Sequence, residues 1–221
     1  MSLPINPFVV RRSAELRESF RSPDPLPKFM IIPNFLRRSL ARDVLAGCER
    51  ARYFTYCAYQ PPGSDDLQYE FREPESGPAY LSIHQRARRS IPEIDDLSER
   101  FSTTEAIEAV SALTGLKLST VHRPTVLTCW GPQSFIGPHT DYTPGHAPRL
   151  VLSISLTRGW RRSYGGSTFF AWSGADRVVR LQPRLNTAML FVPTARSVHW
   201  VERVAMSAPP KRRFTWIAYF G

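Results

Sequence analysis

The segment after Gly115 restricts the fold most, because it consists of short β-prone runs separated by Gly, Pro and Asn. The runs are rich in Val, Ile, Thr, Phe and Trp, and they read LSTVH, TVLTCW, RLVLSISL, STFFAW, RVVRL, NTAMLFV, SVHWVERV and RFTWIAYF. Runs of this length and composition, bounded by turn residues, are typical of strands. Seven or eight strands at this spacing predict an antiparallel sandwich or a barrel-like pair of sheets.

Helical patterns are confined to the first half of the chain. Residues 1–28 are rich in Pro, Arg and Ser and predict an extended lead-in with little packing of its own. The run FMIIPNFL predicts a short strand, and the apolar spacing after it predicts a helix from about Arg38 to Arg52. A second helix is predicted over residues 103–114, since Ser102-Thr-Thr-Glu105 has capping-box spacing and Gly115 provides a stop. The fold class expected is therefore α+β, mainly β.

The length and apolar content predict one compact domain. With 221 residues, 42% of them hydrophobic, the chain can bury a sizeable core. We expect this domain to span residues 29–221, with residues 118–221 as its β core. Residues Tyr56–Arg89 show no sustained period, and such long excursions often form lids. We therefore predict that this segment covers a site and selects its substrate, with arginines to hold a carboxylate: Arg72, Arg86, Arg88 and Arg89.

Charge and cysteine content exclude some classes of protein. The formal net charge is +10, but almost all of the basic residues are dispersed arginines, which favours a compositional bias over a nucleic-acid surface. Three cysteines without C-x-x-C spacing argue against a disulfide framework or a zinc ribbon and fit the cytoplasm. We find no signal-peptide pattern and no apolar run long enough to span a membrane, so we expect no membrane partner.

Three side chains in the β-rich region could bind one metal ion. His139 and Asp141 are two residues apart, which on a strand would place them on the same face. His199 lies in the run SVHWVERV, and it completes a two-histidine, one-carboxylate set if the two strands are neighbours. Such a facial triad leaves coordination positions open and suits Fe(II) and O2 chemistry, unlike a closed zinc site. An isolated H-x-D is weak, and an ordinary surface histidine is the alternative.

The sequence around the H-x-D motif adds specificity. The segment FIGPHTDYTPGHAPRLVLSISLTRGWRRSYGGSTFF places a Gly-Pro turn before His139, then a polar loop, a strand, a Trp and a Gly-Gly pair. Lys211-Arg212-Arg213 follows His199 and opens the final strand. With these motifs, residues 120–220 resemble the iron(II)- and 2-oxoglutarate-dependent dioxygenases, in their prolyl-4-hydroxylase-like branch. The resemblance implies a double-stranded β-helix, a distorted jelly roll, with N-terminal supporting helices.

The resemblance also implies roles for particular residues. His139, Asp141 and His199 would bind the iron. Arg213, helped by Thr215 on the same strand face, would hold the distal carboxylate of 2-oxoglutarate, because a bidentate guanidinium compensates a buried carboxylate well. Arg212 is the competing assignment by one residue. Two further co-substrate positions depart from the family, which commonly has tyrosines there: Trp130 and Ser155.

The chemistry that the resemblance implies is hydroxylation of an unactivated C–H bond, with release of succinate and CO2. Fe(II) would be the metal, 2-oxoglutarate and O2 the co-substrates, and ascorbate an optional reductant. Because Asp141 is a carboxylate and leaves no ligand position for chloride, we expect hydroxylation and not halogenation. The substrate would be an amino acid, a peptidyl residue or a small metabolite, with an anionic or zwitterionic one favoured.

Other functions stay open at this point. A nucleic-acid demethylase of the alkylation-repair type would fit the basic charge and act on a flipped base. Those relatives carry a second arginine six residues after the first, where this chain has Tyr219. A non-catalytic jelly-roll binding module is an alternative from another class, and zinc hydrolysis by the same ligands is a further one. Metal content and succinate release would separate these possibilities.

Overall fold

The structure is a computed structural model. It describes residues 2–20, 28–51, 90–121, 125–142, 144–145, 148–171, 178–208 and 213–221, together with the backbone of 54–59, 82–87, 122–124 and 172. The helices are α1 (Pro7–Arg11), α2 (Ser13–Phe20), α3 (Arg38–Arg50), α4 (Pro92–Phe101) and α5 (Thr104–Thr114), and a 3-10 turn spans Arg162–Tyr164. The strands are β1 (Phe29–Pro33), β2 (Phe54–Tyr59), β3 (Ser82–Ala87), β4 (Val121–Trp130), β5 (Phe135–His139), β6 (Leu150–Ser155), β7 (Thr168–Trp172), β8 (Val178–Leu181), β9 (Thr187–Phe191), β10 (Ser197–Val201) and β11 (Arg213–Phe220).

The strands form a continuous antiparallel arrangement with two halves. Neighbours run in the order β1-β9-β6-β11-β4-β3-β5-β10-β7-β8, and β2 pairs with β3. Of the eight strands after α5, β4, β6, β9 and β11 lie in one half and β5, β7, β8 and β10 in the other. β3 joins the halves by pairing with both β4 and β5. This is the double-stranded β-helix, so the predicted fold class, mainly β with supporting helices, is confirmed.

The final strand separates the two chemical environments of the fold. Alternate residues of β11 lie in the main apolar core with the helices, namely Phe214, Trp216, Ala218 and Phe220. Trp216 packs on Phe101 of α4 with ring centroids 5.1 Å apart. The intervening residues begin with Arg213 and Thr215 and lie on the opposite face, because successive strand side chains alternate between faces. One face of β11 therefore anchors the helices while the other is available for a site.

The predicted helices are present with small differences at their ends. α3 ends at Arg50 and not Arg52. The N-cap of α5 is Thr103, whose hydroxyl accepts the Ala106 N–H at 3.3 Å, and not Ser102 as the capping-box spacing suggested. Gly115 ends α5 in the left-handed conformation, with φ of 69°, as predicted.

The extended lead-in predicted for residues 1–28 is wrong for residues 7–20, which form α1 and α2. The side chains of Ile5, Val9 and Phe20 are buried in the main core. α2 packs against α5 and β1. Burial of these apolar residues provides the free energy that the polar, proline-rich composition obscured.

Two strand predictions also need correction. LSTVH and TVLTCW are not separate strands, because β4 runs continuously over Val121–Trp130. The Gly-Pro turn expected before His139 is absent, and Gly137 and Pro138 lie inside β5. The pairing of β5 with β10 and β3 outweighs the local preference of Gly and Pro for a turn.

Two other expectations concern residues that the structure describes only in part or not at all. The proposed lid, Tyr56–Arg89, lies outside the described residues except for the backbone of β2 and β3. Arg212, the competing co-substrate residue, also lies outside them. In the described part of the chain, no helix combines the length and apolarity needed to cross a bilayer.

Candidate active site

Two histidines face each other across neighbouring strands. His199 of β10 is the direct register partner of His139 at the end of β5. Their ring centroids lie 4.1 Å apart. The strand neighbourhood on which the metal hypothesis depended is therefore present.

Asp141 reaches the two histidines by a different route from the one the sequence suggested. β5 ends at His139, and Asp141 follows it in the left-handed region with φ of 54°, which Asp tolerates better than most residues. Its carboxylate oxygens lie 3.7 Å from His139 Nε2 and 3.5 Å from His199 Nε2. The possible ligand atoms of all three residues lie within 4.8 Å of one another. The left-handed backbone of Asp141, and not the alternation of a strand, brings the carboxylate to the imidazoles.

Backbone carbonyls fix the ring orientation of both histidines. His139 Nδ1 donates to the Gly137 carbonyl at 2.9 Å, and His199 Nδ1 donates to the Ser197 carbonyl at 3.1 Å. A carbonyl oxygen can only accept, so each neutral ring keeps its proton on Nδ1 and its lone pair on Nε2. Both Nε2 atoms therefore carry no proton and can act as ligands, and the Nδ1 contact is one that metal-binding histidines typically make.

An aromatic wall surrounds His199. Its ring lies 4.9 Å from the Phe191 centroid and 5.8 Å from the Phe170 centroid. Phe170 and Phe191 also pack with Val151 and Met189 in a small buried cluster. Such an apolar surround limits solvent access to a bound ion and strengthens electrostatic interactions near it.

Arg213 is a buried cation without a carboxylate partner among the described residues. Its side chain is 4% exposed, and Nη2 donates to Thr168 Oγ1 at 2.9 Å. Nε and Nη1 have no hydrogen-bond acceptor in the described structure. Burial lowers the pKa of Arg213 to about 9, with the Glu202 carboxylate acting in the opposite direction. Arg213 therefore stays charged near neutral pH, and the N–H groups on its Nε and Nη1 atoms can hold an anion.

Trp130 lies beside this guanidinium. It is the register partner of Arg213 on β4, and the Arg213 Cζ lies 4.9 Å from the centroid of the Trp130 ring. The indole N–H is already used, since it donates to Thr128 Oγ1 at 3.0 Å. Trp130 thus stabilises the cation through its ring face and offers no hydroxyl of the kind that a tyrosine would supply.

Two hydroxyls continue the polar surface from Arg213. Thr215 is paired in register with Ser155 on β6. Their hydroxyl oxygens are buried and lack hydrogen-bond partners in the described structure. Arg213, Thr215 and Ser155 line one cavity of about 570 Å³ together with Thr168. Since buried polar groups are normally paired, this cluster is arranged for a polar ligand.

The Gly-Gly pair holds the turn next to Arg213. Gly165 has φ of 64° and ψ of −150°, a region that only glycine readily occupies. A Cβ there would lie 2.4 Å from the Arg203 carbonyl oxygen, and one on Gly166 would lie 3.4 Å from Arg213 Cδ. The Gly165 carbonyl also accepts the indole N–H of Trp160 at 2.8 Å. The Trp and Gly-Gly of the sequence motif therefore shape the wall of the site.

The structure places His139, Asp141 and His199 in one cluster, and Arg213, Thr215, Ser155 and Trp130 in another. Arg212 and the arginine side chains of the proposed lid lie outside the described residues. One residue that the sequence did not indicate, Thr168, joins the second cluster. The run STFFAW could have revealed it, because Thr168 and Phe170 are two residues apart and lie on the same face of β7. Their register partners on β10 are Val201 and His199. The sequence does not show that Thr168 pairs with Arg213, since β7 and Arg213 are distant along the chain.

The strands of the double-stranded β-helix bring two imidazoles and a carboxylate close together, and a buried arginine lies further along the strands. This combination defines the class of metal-dependent jelly-roll enzymes. Residues 125–221 match the family model described as the 2OG-Fe(II) oxygenase superfamily. This C-terminal part of the chain is similar to the 2OG-Fe(II) oxygenases, the dioxygenases that depend on Fe(II), 2-oxoglutarate and O2, and it contains the cluster of two histidines and one aspartate.

Solved structures share this fold at low sequence identity. A Pseudomonas putida prolyl-4-hydroxylase is 14% identical with a TM-score of 0.65, over 95% of this chain and 98% of its own. A prolyl hydroxylase from Trichoplax adhaerens, in complex with a hypoxia inducible factor peptide fragment, is 16% identical with a TM-score of 0.67, over 96% and 90%. A 2OG-Fe(II) oxygenase family protein from Burkholderia pseudomallei is 16% identical with a TM-score of 0.58, over 96% and 89%. Comparison with curated protein sequences finds no significant match.

Proposed function

We propose that this protein is an Fe(II)- and 2-oxoglutarate-dependent dioxygenase, a hydroxylase whose iron is held by His139, Asp141 and His199. Two neutral Nε2 donors and one carboxylate form the ligand set that suits Fe(II) and leaves positions open for other ligands. The convergence of these atoms within 4.8 Å supports the assignment.

Arg213 is the proposed anchor for the distal carboxylate of 2-oxoglutarate, and its geometry carries the proposal. A buried guanidinium whose Nε and Nη1 atoms have no acceptor among the described residues is costly unless an anion binds it. The unpartnered hydroxyls of Ser155 and Thr215 lie on the same inner face and can donate to that carboxylate. A dicarboxylate would satisfy all of these groups at once.

The protein's contribution is to bind, orient and exclude water. With its metal and co-substrates bound, the site supplies the oxidation that converts a substrate C–H into C–OH while 2-oxoglutarate becomes succinate and CO2. The carbonyls of Gly137 and Ser197 keep the proton on the Nδ1 atoms of the two histidines. Phe170 and Phe191 keep the surroundings of His199 apolar.

The substrate is proposed to be an amino acid, a peptidyl residue or a small metabolite. Two of the structures with this fold are named as prolyl hydroxylases, one of them bound to a peptide. Proline-containing peptides are therefore the first class to test, followed by free amino acids and other zwitterionic compounds.

The test is a turnover screen with purified protein, Fe(II), 2-oxoglutarate and O2, with and without ascorbate. Succinate formation is measured over peptides, amino acids and small natural products, and the hydroxylated product is identified by its mass gain of one oxygen. We expect succinate release to rise with one substrate class and to be lost in Asp141→Ala.

Arg196→Ala serves as the matched control, since Arg196 is exposed and immediately precedes β10. Metal binding without any succinate formation, with or without candidate substrates, would support the non-catalytic binding module. Activity on alkylated nucleic acid alone would support the demethylase.

A further inference from the structure

The cavity beside Arg213 extends to the protein surface. Its volume is about 570 Å³, within the range of sites that hold small molecules. Buried Arg213 lines its inner part, whereas Arg162 and Arg184, which also line it, are exposed. The cavity therefore connects the proposed carboxylate anchor with solvent.

This opening lies at the end of the double-stranded β-helix remote from Asp141. β9 begins at the cavity with Thr187, which is paired with Ser155, and ends at Phe191, which packs on His199. The loop that carries Asp141 follows β5 at the histidine end. Since antiparallel strands start and finish at opposite ends, the opening and the Asp141 loop lie on opposite sides of the site.

The walls of this opening are strongly cationic. The described lining residues include four arginines and no Asp or Glu. One of these arginines, Arg180, is occupied by Glu202 and by the Ser167 hydroxyl, at 2.7 and 3.0 Å. Arg162 and Arg184 make no ion pair with a described residue. A cleft lined by charge of one sign attracts ligands of the opposite sign and raises their association rate.

We propose that this cavity is a second entrance, through which 2-oxoglutarate reaches Arg213 from the end opposite Asp141 under the attraction of Arg162 and Arg184. The inference rests on the proposed function, because it takes Arg213 as the carboxylate anchor. The ligand carries two carboxylates, and the path runs from two exposed guanidinium groups to a buried one. The Asp141 side of the site is then left to the primary substrate.

The first test measures charge attraction. Association of 2-oxoglutarate with the anaerobic Fe(II)-loaded protein is followed by stopped-flow tryptophan fluorescence, since Trp130 lies against Arg213. The double variant Arg162→Gln/Arg184→Gln should slow association by about tenfold at low ionic strength, with less effect at high salt and little change in dissociation. Arg196→Gln is the control, because it removes an exposed charge immediately before β10. Arg196 is next to Ser197, whose hydroxyl lies 3.5 Å from the Thr140 carbonyl, on the side of the Asp141 loop.

The second test measures whether 2-oxoglutarate passes through the cavity. Arg184→Cys is made in a Cys57→Ser background and labelled with a bulky thiol reagent that a reductant removes. Cys48 and Cys129 are buried, and burial raises the pKa of Cys48 to about 12, so neither competes for the label. The label should slow 2-oxoglutarate association even at high salt, and its removal should restore the rate. Labelled Arg196→Cys should bind at the unlabelled rate.

The outcomes separate this inference from the proposed function. If the wild-type protein does not bind 2-oxoglutarate, the proposed function fails. If it binds, but the double variant and the label at position 184 leave association unchanged, the second entrance alone is wrong. Slower association with the control at position 196, or a change confined to dissociation, would likewise overturn it.

Discussion

The carboxylate of Asp141 is the only anionic group among the three proposed iron ligands. Asp141→Ala should therefore remove most of the metal affinity. Anaerobic reconstitution with Fe(II) and 2-oxoglutarate should give the visible charge-transfer band of the chelate in the wild type and little of it in the variant.

Asp141→Asn is the matched variant, because Asn also tolerates the left-handed backbone with φ of 54° at this position. Its melting temperature should stay close to that of the wild type while its band is weakened. An undiminished band in Asp141→Ala would disprove the ligand assignment.

Arg213 gives a prediction about stability as well as binding. Without co-substrate, its buried charge has no carboxylate partner among the described residues, so the apolar replacement Arg213→Met should raise the melting temperature. With co-substrate the order of stability should reverse. 2-Oxoglutarate should raise the melting temperature of the wild type by mass action and leave that of the variant unchanged. Thermal unfolding with and without 2-oxoglutarate measures both effects.

Exposed Arg196 provides the control for that experiment, since Arg196→Met should leave both melting temperatures unchanged. A variant of Arg213 that still gains stability from 2-oxoglutarate would show that the co-substrate binds elsewhere.

Single residues of the site differ in how far the sequence could predict them. His139 and His199 needed only the assumption that two strands are neighbours, and the structure pairs them directly. Asp141 was predicted together with them, but its left-handed backbone was not, because φ is not visible in an H-x-D pattern. Thr168 was missed because its bond to Arg213 joins residues 45 positions apart.

At the scale of elements, the turn between the 3-10 segment and β7 depends on one glycine. Gly165→Ala should destabilise the protein by more than the ~1–3 kcal/mol of a sparsely populated backbone conformation alone, because its Cβ would meet the Arg203 carbonyl oxygen at 2.4 Å. Gly159→Ala is the matched control, since Gly159 also has positive φ, 66°, but would place its Cβ in open space. Chemical denaturation of both variants measures the difference, and equal losses would contradict the collision.

Strand alternation explains why β11 could be predicted and β5 could not. The spacing R-x-T places Arg213 and Thr215 on one face, and the register of β11 with β6 agrees. β5 contains Gly137 and Pro138, which by themselves indicate a turn. Only pairing with β10 and β3 makes this segment a strand, and pairing between distant segments is not encoded locally.

For the whole molecule, the N-terminal helices should act as part of the domain. Phe20 of α2 is 1% exposed in the main core, so Phe20→Ala should cost about 3–5 kcal/mol of unfolding free energy. Phe8 of α1 is 62% exposed, and Phe8→Ala should change stability little. Equilibrium urea unfolding compares the two, and a similar small loss in both would mean that α2 packs only loosely.

A local signal for these helices was present in the sequence. The Asn6 side chain accepts the Phe8 N–H at 3.0 Å, and Pro7 occupies the first helical turn, which are recognised features of a helix start. These two features were outweighed by the many Pro, Arg and Ser residues, which by themselves predict an extended segment. Burial against α5 and β1, which the sequence does not display, decides the outcome.

Because the two faces of β11 serve folding and function separately, selection can change one face without affecting the other. Phe214, Trp216, Ala218 and Phe220 are confined to apolar types by their place in the main core. Substitutions at Ile217 and Tyr219, on the other face, can alter the inner wall without disturbing the helices. A lineage could therefore acquire new substrates through a few changes on one side of this strand, while the other side preserved its fold.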